Sequence, residues 1–303
     1  MSLLAVGSVA FDDLKTPGGS RDNLMGGSAT YFTLSASHFV PTQLVAVVGL
    51  DFKPEHRAVF EGRPIDLEGL EQKPGRSFRW KGSYGDELNE AITLDTQLNV
   101  FADFHPHLPE TFRQSRYLFL GNIEPSLQLD VVHQMARRPR WVALDTMNYW
   151  IRGSRQELAS TLKEVDILLV NEMEVRELTS EHNLLKAYRQ VLNLGPKVLV
   201  IKRGEYGSVL MTEDCVFSAP AYPLEDIVDP TGAGDTFAGG FLGKLAQLGR
   251  MDLPALKNAV ITGTVMASFT VEQFGIGRLE TVQKKDLDDR SKAFSDMIRL
   301  DDL

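Results

Sequence analysis

Asp229-Pro230-Thr231-Gly232-Ala233-Gly234-Asp235 runs directly into Thr236-Phe237-Ala238-Gly239-Gly240-Phe241. A turn with two glycines opens into a helix, and a carboxylate sits at the join. Glycine allows positive φ and close approach of the backbone to a ligand. A helix start leaves N–H groups unpaired, and the macrodipole makes them attractive to anions. Gly232, Ala233, Gly234 and Asp235 are therefore placed to present donors to a phosphate or a developing phosphoryl anion. Asp235 stands beside that hole, where it can take a proton from an attacking hydroxyl. This pattern suits phosphoryl transfer to an alcohol. The competing reading is a Gly-rich turn and nothing more. Other phosphate motifs fit worse. Phe237 occupies the place of the third glycine in a dinucleotide fingerprint. The nearest Walker-like stretch, Gly239 to Lys244, has the wrong spacing, is followed by Leu245 and lies within the helix.

Three further groups have suitable types and spacing. Asn171 and Glu174 follow an apolar run and lie three apart, so one helical turn puts them on one face. They read either as a helix cap with a first-turn acid or as ligands near a metal. Gly204-Glu205-Tyr206-Gly207 follows another apolar run, preceded by Lys202 and Arg203. Either basic side chain can reach phosphate oxygens, or the glycines only turn a hairpin into Ser208–Met211. Gly7-Ser8-Val9-Ala10-Phe11-Asp12 and Gly26-Gly27-Ser28-Ala29-Thr30-Tyr31 lie near the start. A carboxylate ending a strand can accept hydrogen bonds from two hydroxyls, and a di-glycine loop admits a polyol closely.

In this order and spacing, the motifs resemble those of the ribokinase-like (PfkB) carbohydrate and nucleoside kinases. The resemblance spans essentially all of the chain. It implies a three-layer α/β/α fold with a mostly parallel sheet and a small β lid. It implies ATP and Mg²⁺ as cofactors and a hydroxymethyl group of a sugar or nucleoside as phosphoryl acceptor. Asp235 becomes the general base, with Gly232 to Asp235 as anion hole. Asp12, Gly26, Gly27 and Tyr31 become acceptor contacts, with Trp80 on the lid. Tyr31 stands where ribokinase-type members often carry Asn, which speaks against plain ribose. Lys202, Gly204 and Gly207 become nucleotide contacts, joined by Asn258 and Thr262 from a helix over Pro254 to Thr270. Asn171 and Glu174 lie near Mg²⁺, through water. Asp229 and Thr231, with Phe274 to Gly277, match the place where many members hold a monovalent cation such as K⁺. The competing class is a non-catalytic nucleotide- or sugar-binding regulator on the same fold. Such a binder need not keep a base or metal ligands.

The elements that must position these groups are legible. Leu3–Val6, Leu44–Val48, Tyr117–Leu120, Trp141–Leu144, Ile167–Val170 and Val198–Ile201 are short and continuously apolar. Strands buried on both faces look like this. Helical patterns over 28–39 and 181–194 lie among them, so a mostly parallel sheet covered by helices is expected. Asp145, Asn171 and Gly204 each follow such a run and should converge on the crevice beyond the strand ends. Residues 76–101 break the alternation. Phe78, Trp80, Gly82 and Tyr84 fall at every second place, Gly85-Asp86 offers a turn, and strands are expected at Ile92–Leu94 and Leu98–Phe101. This is where the family inserts its lid, completed by residues soon after Asp12. An aromatic face with little core beneath it is either an ordinary edge hairpin or needs a partner: substrate, a second subunit in a homodimer through the lid, or both.

Composition narrows the class. The chain has 303 residues, 43% hydrophobic, and suits one kinase domain with a small insertion. A formal charge of -9 argues against a nucleic-acid surface. No apolar run reaches the roughly 18 residues of a membrane span, and the start lacks a basic leader. The lone Cys215 fits a packing role in a reducing cytoplasm. Arg137 to Arg140 read as a solvated loop, His105 and His107 lack further ligands nearby, and the tail 301–303 is expected to fray.

Overall fold

The computed structural model describes residues 2–85, 88–89 and 91–299. Strands β1 (Leu3–Val6), β2 (Ala10–Thr16), β3 (Gly19–Gly26), β4 (Thr42–Val48), β5 (Ile65–Gln72), β6 (Phe78–Tyr84) and β7 (Ala91–Gln97) come first. They are followed by β8 (Tyr117–Leu120), β9 (Trp141–Asp145), β10 (Ile167–Asn171), β11 (Val198–Lys202), β12 (Ser208–Thr212) and β13 (Cys215–Ala219). The helices are α1 (Ser28–Ala36), α2 (Pro54–Glu61), α3 (Pro125–Gln134), α4 (Asn148–Gly153), α5 (Arg155–Leu162) and α6 (Glu172–Thr179). Then come α7 (Leu184–Leu194), α8 (Ala233–Leu248), α9 (Leu253–Thr270), α10 (Gly277–Thr281) and α11 (Lys284–Met297).

Every apolar run singled out above lies in one nine-stranded sheet, ordered β13-β12-β11-β10-β9-β8-β1-β4-β5. All pairs from β5 to β11 are parallel, and β12 and β13 add an antiparallel edge. Successive side chains of each strand enter opposite layers. Leu4, Val6, Leu118, Val142, Leu168 and Val170 pack with Val131, Leu158, Val175 and Val191 from α3, α5, α6 and α7. Leu3, Ala5, Phe119, Ala143 and Leu169 pack with Phe32, Phe237, Phe241 and Val260 from α1, α8 and α9. Phe32 stacks on Phe119 at 3.8 Å between ring centroids. Burial on both faces explains the unbroken apolar runs, each large side chain contributing about 1.5–3 kcal/mol.

The chain leaves β1 toward β4 on one side and later returns to β8 on the other. Such a reversal opens a crevice beyond the carboxyl ends of the strands. Asp145, Asn171 and Lys202 are the last residues of β9, β10 and β11, so all three reach that crevice rim.

A separate four-stranded sheet has the order β3-β2-β6-β7. β2 begins just after β1 and pairs in parallel with β6, Asp12 opposite Trp80. Paired residues share a face, so Trp80 and Tyr84 lie on the face that carries Asp12. One expected strand is absent. Asn99–Asp103 forms a 3₁₀ turn, with Asn99 at φ 49°, instead of a strand over Leu98–Phe101. Phe101 is held between Phe78 and Phe104 at 5.2 and 5.3 Å, and Asn99 Nδ2 donates to Ser77 O. Side-chain stacking thus outweighs the β pattern. The helix expected from 181 begins at Leu184, because the Asn183 side chain caps it by accepting from Leu185 N and Lys186 N. The helix expected to reach 39 ends at Ala36. The expected turn at Gly85-Asp86 and the tail 301–303 fall partly or wholly outside the described residues. No helix among the described residues is long and apolar enough to cross a membrane.

Candidate active site

Gly232 caps α8 with φ 73°, and a β-carbon there would overlap the Tyr31 ring. Only glycine meets both demands. Thr236 N donates to Gly232 O at 2.8 Å and starts the helical ladder. Ala233 N is turned back to Pro230 O at 3.2 Å. Among the described residues, the N–H groups of Gly232, Gly234 and Asp235 have no acceptor. The set of N–H groups open to an anion is thus narrower than the sequence suggests, because Ala233 N is already engaged. Asp235 keeps some surface open to the crevice. Burial by the surrounding protein, reinforced by the field of Asp145 and opposed by Lys202, pushes its carboxyl up to about 7.

Lys202 and Arg203 diverge, as neighbours at a strand end do. Lys202 Nζ donates to Asp145 Oδ2 at 2.7 Å, whereas Arg203 pairs with Glu172. Lys202 therefore belongs to the crevice and Arg203 to the flank of α6. Asn171 caps α6 reciprocally with Glu174. Glu174 N donates to Asn171 Oδ1 at 2.8 Å, and Asn171 N to Glu174 Oε2 at 2.7 Å. The reciprocal cap is complete. Among the described residues it leaves Glu174 Oε1 and Asn171 Nδ2 without a partner. Burial and the field of Asp145 raise the Glu174 carboxyl. Asp145, Glu174 and Asp235 all act on the single ammonium of Lys202. That surplus of carboxylates over ammonium groups beside the α8 start suits a divalent cation. The described residues form no cluster of three or more ligands able to hold a metal alone. Mg²⁺, which keeps waters and leans on phosphate oxygens, does not need one.

Across the crevice, Asp12 is 4% exposed. No donor among the described residues bonds its carboxylate. Burial first, then Asp229, Asp13 and Asp235, push it up to about 8. Asp13 faces the other way and accepts Asn23 N in the hairpin, which separates the two adjacent aspartates. Gly26 lies against Asp12, and Gly27 begins α1 at φ 96°. Tyr31 is buried, and its hydroxyl has no partner among the described residues. Thr231 Oγ1 donates to Tyr84 Oη at 3.1 Å, joining the small sheet to the α8 loop. Trp80 lies over Gly82, and its indole N–H reaches Thr93 Oγ1 at 3.1 Å.

Asp229 is fully buried. Its Oδ1 accepts Thr231 N at 2.9 Å and its Oδ2 accepts Gly275 N at 2.8 Å, so it ties together the two loops assigned to a cation. Gly204–Tyr206 forms a 3₁₀ turn closed by Arg203 N donating to Gly207 O at 2.8 Å. Asn258 and Thr262 lie on the outer side of α9, bonded to each other through Thr262 Oγ1 and Asn258 O. No described hydrogen bond ties them to the other site residues. Two groups carry weight that sequence reasoning did not assign them. Asp145 showed only its position at a strand end, and the Tyr84 hydroxyl only its place on an aromatic face. Cavities beside Arg63 and beside Tyr188 include none of these residues.

Residues 5–282 match the pfkB family carbohydrate kinase model. The chain belongs to the pfkB family. It is a kinase, transferring a phosphoryl group to a sugar- or nucleoside-type acceptor. It is 29% identical over 246 residues to a cytidine kinase of Thermococcus kodakarensis, covering 80% of this chain and 87% of that one. It is 28% identical over 290 residues to a nucleoside kinase of Methanothermobacter thermautotrophicus, covering 90% of each. Its fold matches a putative ribokinase II of E. coli, solved with ATP and Mg²⁺, at TM-score 0.77 and 19% identity, covering 96% and 99%. ATP and Mg²⁺ are thus the cofactors expected for this family member.

Proposed function

We propose that this kinase transfers the γ-phosphoryl group of ATP to a hydroxymethyl group of a nucleoside or sugar, with Asp235 as general base. The observation that carries the proposal is the join at α8. Free N–H groups at Gly232, Gly234 and Asp235 share one helix start with a carboxylate held near neutrality. A base of that strength is partly ionised near pH 7, increasingly so above it, and keeps affinity for a proton. The acceptor enters between Asp12 and the Asp12-bearing face of the small sheet. Asp12, with no donor among the described residues, takes two acceptor hydroxyls. Asp235 accepts the proton of the attacking hydroxyl, and the N–H groups meet charge on the transferring phosphoryl. Lys202 and the Gly204–Gly207 turn face the nucleotide, and Asn258 and Thr262 offer the outer wall of its base site.

Mg²⁺ supplies charge neutralisation on the polyphosphate when bound. Glu174 and Asn171 would hold its waters while still capping α6. Asp229 already uses both oxygens to join its two loops, so a monovalent ion there would share that carboxylate, and no step depends on it. The small sheet serves as a lid that excludes water, its Tyr84 hydroxyl latched to Thr231. A second copy of this chain covers its free β7 edge.

The names of the relatives favour nucleosides. ADP release measured with ATP, Mg²⁺ and a panel of nucleosides and sugars tests the reading, and a nucleoside should give the highest kcat/KM. A folded protein that binds ATP yet phosphorylates nothing across the panel would instead favour a regulator. The carboxylates Asp235, Glu174 and Asp12, costly to bury without a task, speak for turnover.

A further inference from the structure

One wall of the crevice holds an ion pair whose carboxylate has no part in the transfer step so far. Asp145 and Lys202 end strands β9 and β11, with β10 between them, and their side chains meet beyond its end. The Lys202 and Asp145 side chains are only 16% and 8% exposed. Asp145 is itself fixed. Its Oδ1 accepts Thr146 N at 2.8 Å, and its backbone oxygen accepts the Gln128 amide at 3.1 Å. Lys202 Nζ lies beside the anion hole, 3.1 Å from where a β-carbon on Gly234 would stand. Yet its only hydrogen bond among the described residues goes to Asp145, not to the neighbouring Asp235.

This choice of partner matters. A lysine is a compact charge on a flexible stem and settles on the best available anion. Settled on Asp235, it would occupy the lone pairs that must receive the acceptor's proton. Settled on Asp145, it remains charged beside Gly234 with donors to spare. A preplaced ammonium needs no reorganisation when charge develops on the phosphoryl group.

We infer that Asp145 is a positioning residue of the transfer step, holding the Lys202 ammonium against the anion hole and off Asp235. The inference rests on the reading of Asp235 as base and of the α8 start as anion hole. Asp145 touches neither nucleotide nor acceptor in this arrangement and acts through Lys202.

A double-mutant cycle tests it. Asp145→Asn should lower kcat roughly tenfold or more while the KM for ATP stays level or falls, since the freed lysine still reaches phosphate. Lys202→Met should lower kcat roughly 10²-fold and raise the KM for ATP. Asp145→Asn added to Lys202→Met should cost nothing further, and Asp145→Glu should recover part of the loss. Melting temperatures establish that each variant is folded. Independent, multiplicative losses would overturn the inference, as would wild-type kcat in Asp145→Asn. Binding of a non-hydrolysable ATP analogue with Mg²⁺ reads the same relationship without an acceptor. Lys202→Met should weaken it about tenfold, and Asp145→Asn should not. Equal weakening by both, or by neither, would overturn the positioning role. Absence of acceptor-dependent ADP release in wild type would instead count against the kinase reading of Asp235.

Discussion

Asp12 Oδ2 occupies the space that a β-carbon on Gly26 would need. The carboxylate and the di-glycine loop are therefore one device, although they sit on different strands. Gly26→Ala should displace Asp12 while leaving the packed layers intact. Misplacing a substrate-orienting group by about 1 Å can cost roughly 10²-fold, so acceptor kcat/KM should fall by that order while ATP binding changes little. Steady-state kinetics with the best acceptor would check this. Unchanged acceptor kinetics in a folded Gly26→Ala enzyme would remove Asp12 from acceptor recognition.

Asp235 should govern the pH dependence. A general base works ionised, and its carboxyl is pushed up to about 7. The kcat/KM should therefore rise with pH through about 7 and level off above it. Asp235→Asn should lose roughly 10²-fold or more in kcat, with little change in the KM for ATP, and should lose the acid limb as well. A variant that retains that limb would show that another group titrates.

The layers were readable because burial on both faces leaves an unbroken apolar signature, which β1, β4, β8, β9, β10 and β11 carry; the edge strand β5 alternates buried and exposed residues and was not legible in this way. The α8 join was readable because few sequences place Gly, Gly and Asp at a helix start. Partner choice was not readable. Nothing in the order Lys202-Arg203 says which side chain turns to Asp145 and which to Glu172, because strand twist and the position of α6 decide it. The turn at Asn99–Asp103 was missed for a similar reason. Phe101 obeys Phe78 and Phe104, which are distant in sequence or hidden by an alternation that suits a strand equally well.

Glu174 carries two roles that a single substitution can separate. Glu174→Gln keeps an oxygen able to accept Asn171 N, so the cap should survive and stability should fall by less than about 1 kcal/mol. Loss of the negative charge should raise the Mg²⁺ concentration for half-maximal rate. A Mg²⁺ titration superimposable on wild type would leave Glu174 with the cap alone.

Buried carboxylates should also mark the stability of the ligand-free enzyme. Asp12 is raised to about 8, so the folded protein holds that proton more tightly than the unfolded chain does. Stability from this group is present at low pH and is lost as pH rises from the unfolded value near 4 through about 8. The melting temperature without ligands should fall between pH 5 and pH 8.5, and Asp12→Asn should reduce the fall. An equal slope in both proteins would locate the effect elsewhere.

The small sheet presents two apolar surfaces with different duties. Trp80 and Tyr84 share the face of Asp12, whereas β7 is exposed along its length, with Ile92 62% and Leu94 54% exposed. Its outer backbone edge pairs with no strand among the described residues. An apolar, unpaired edge of this kind calls for a partner strand, and a two-fold contact between two copies supplies one. Ile92→Lys with Leu94→Lys should therefore shift sedimentation at micromolar concentration from dimer toward monomer, with ATP affinity unchanged. Trp80→Ala should raise the acceptor KM, because it removes the aromatic surface over Asp12. A wild-type protein that sediments as a monomer, with and without acceptor, would sink the dimer. Wild-type acceptor KM in Trp80→Ala would sink the role of that face in acceptor binding, while leaving the base and the anion hole untouched.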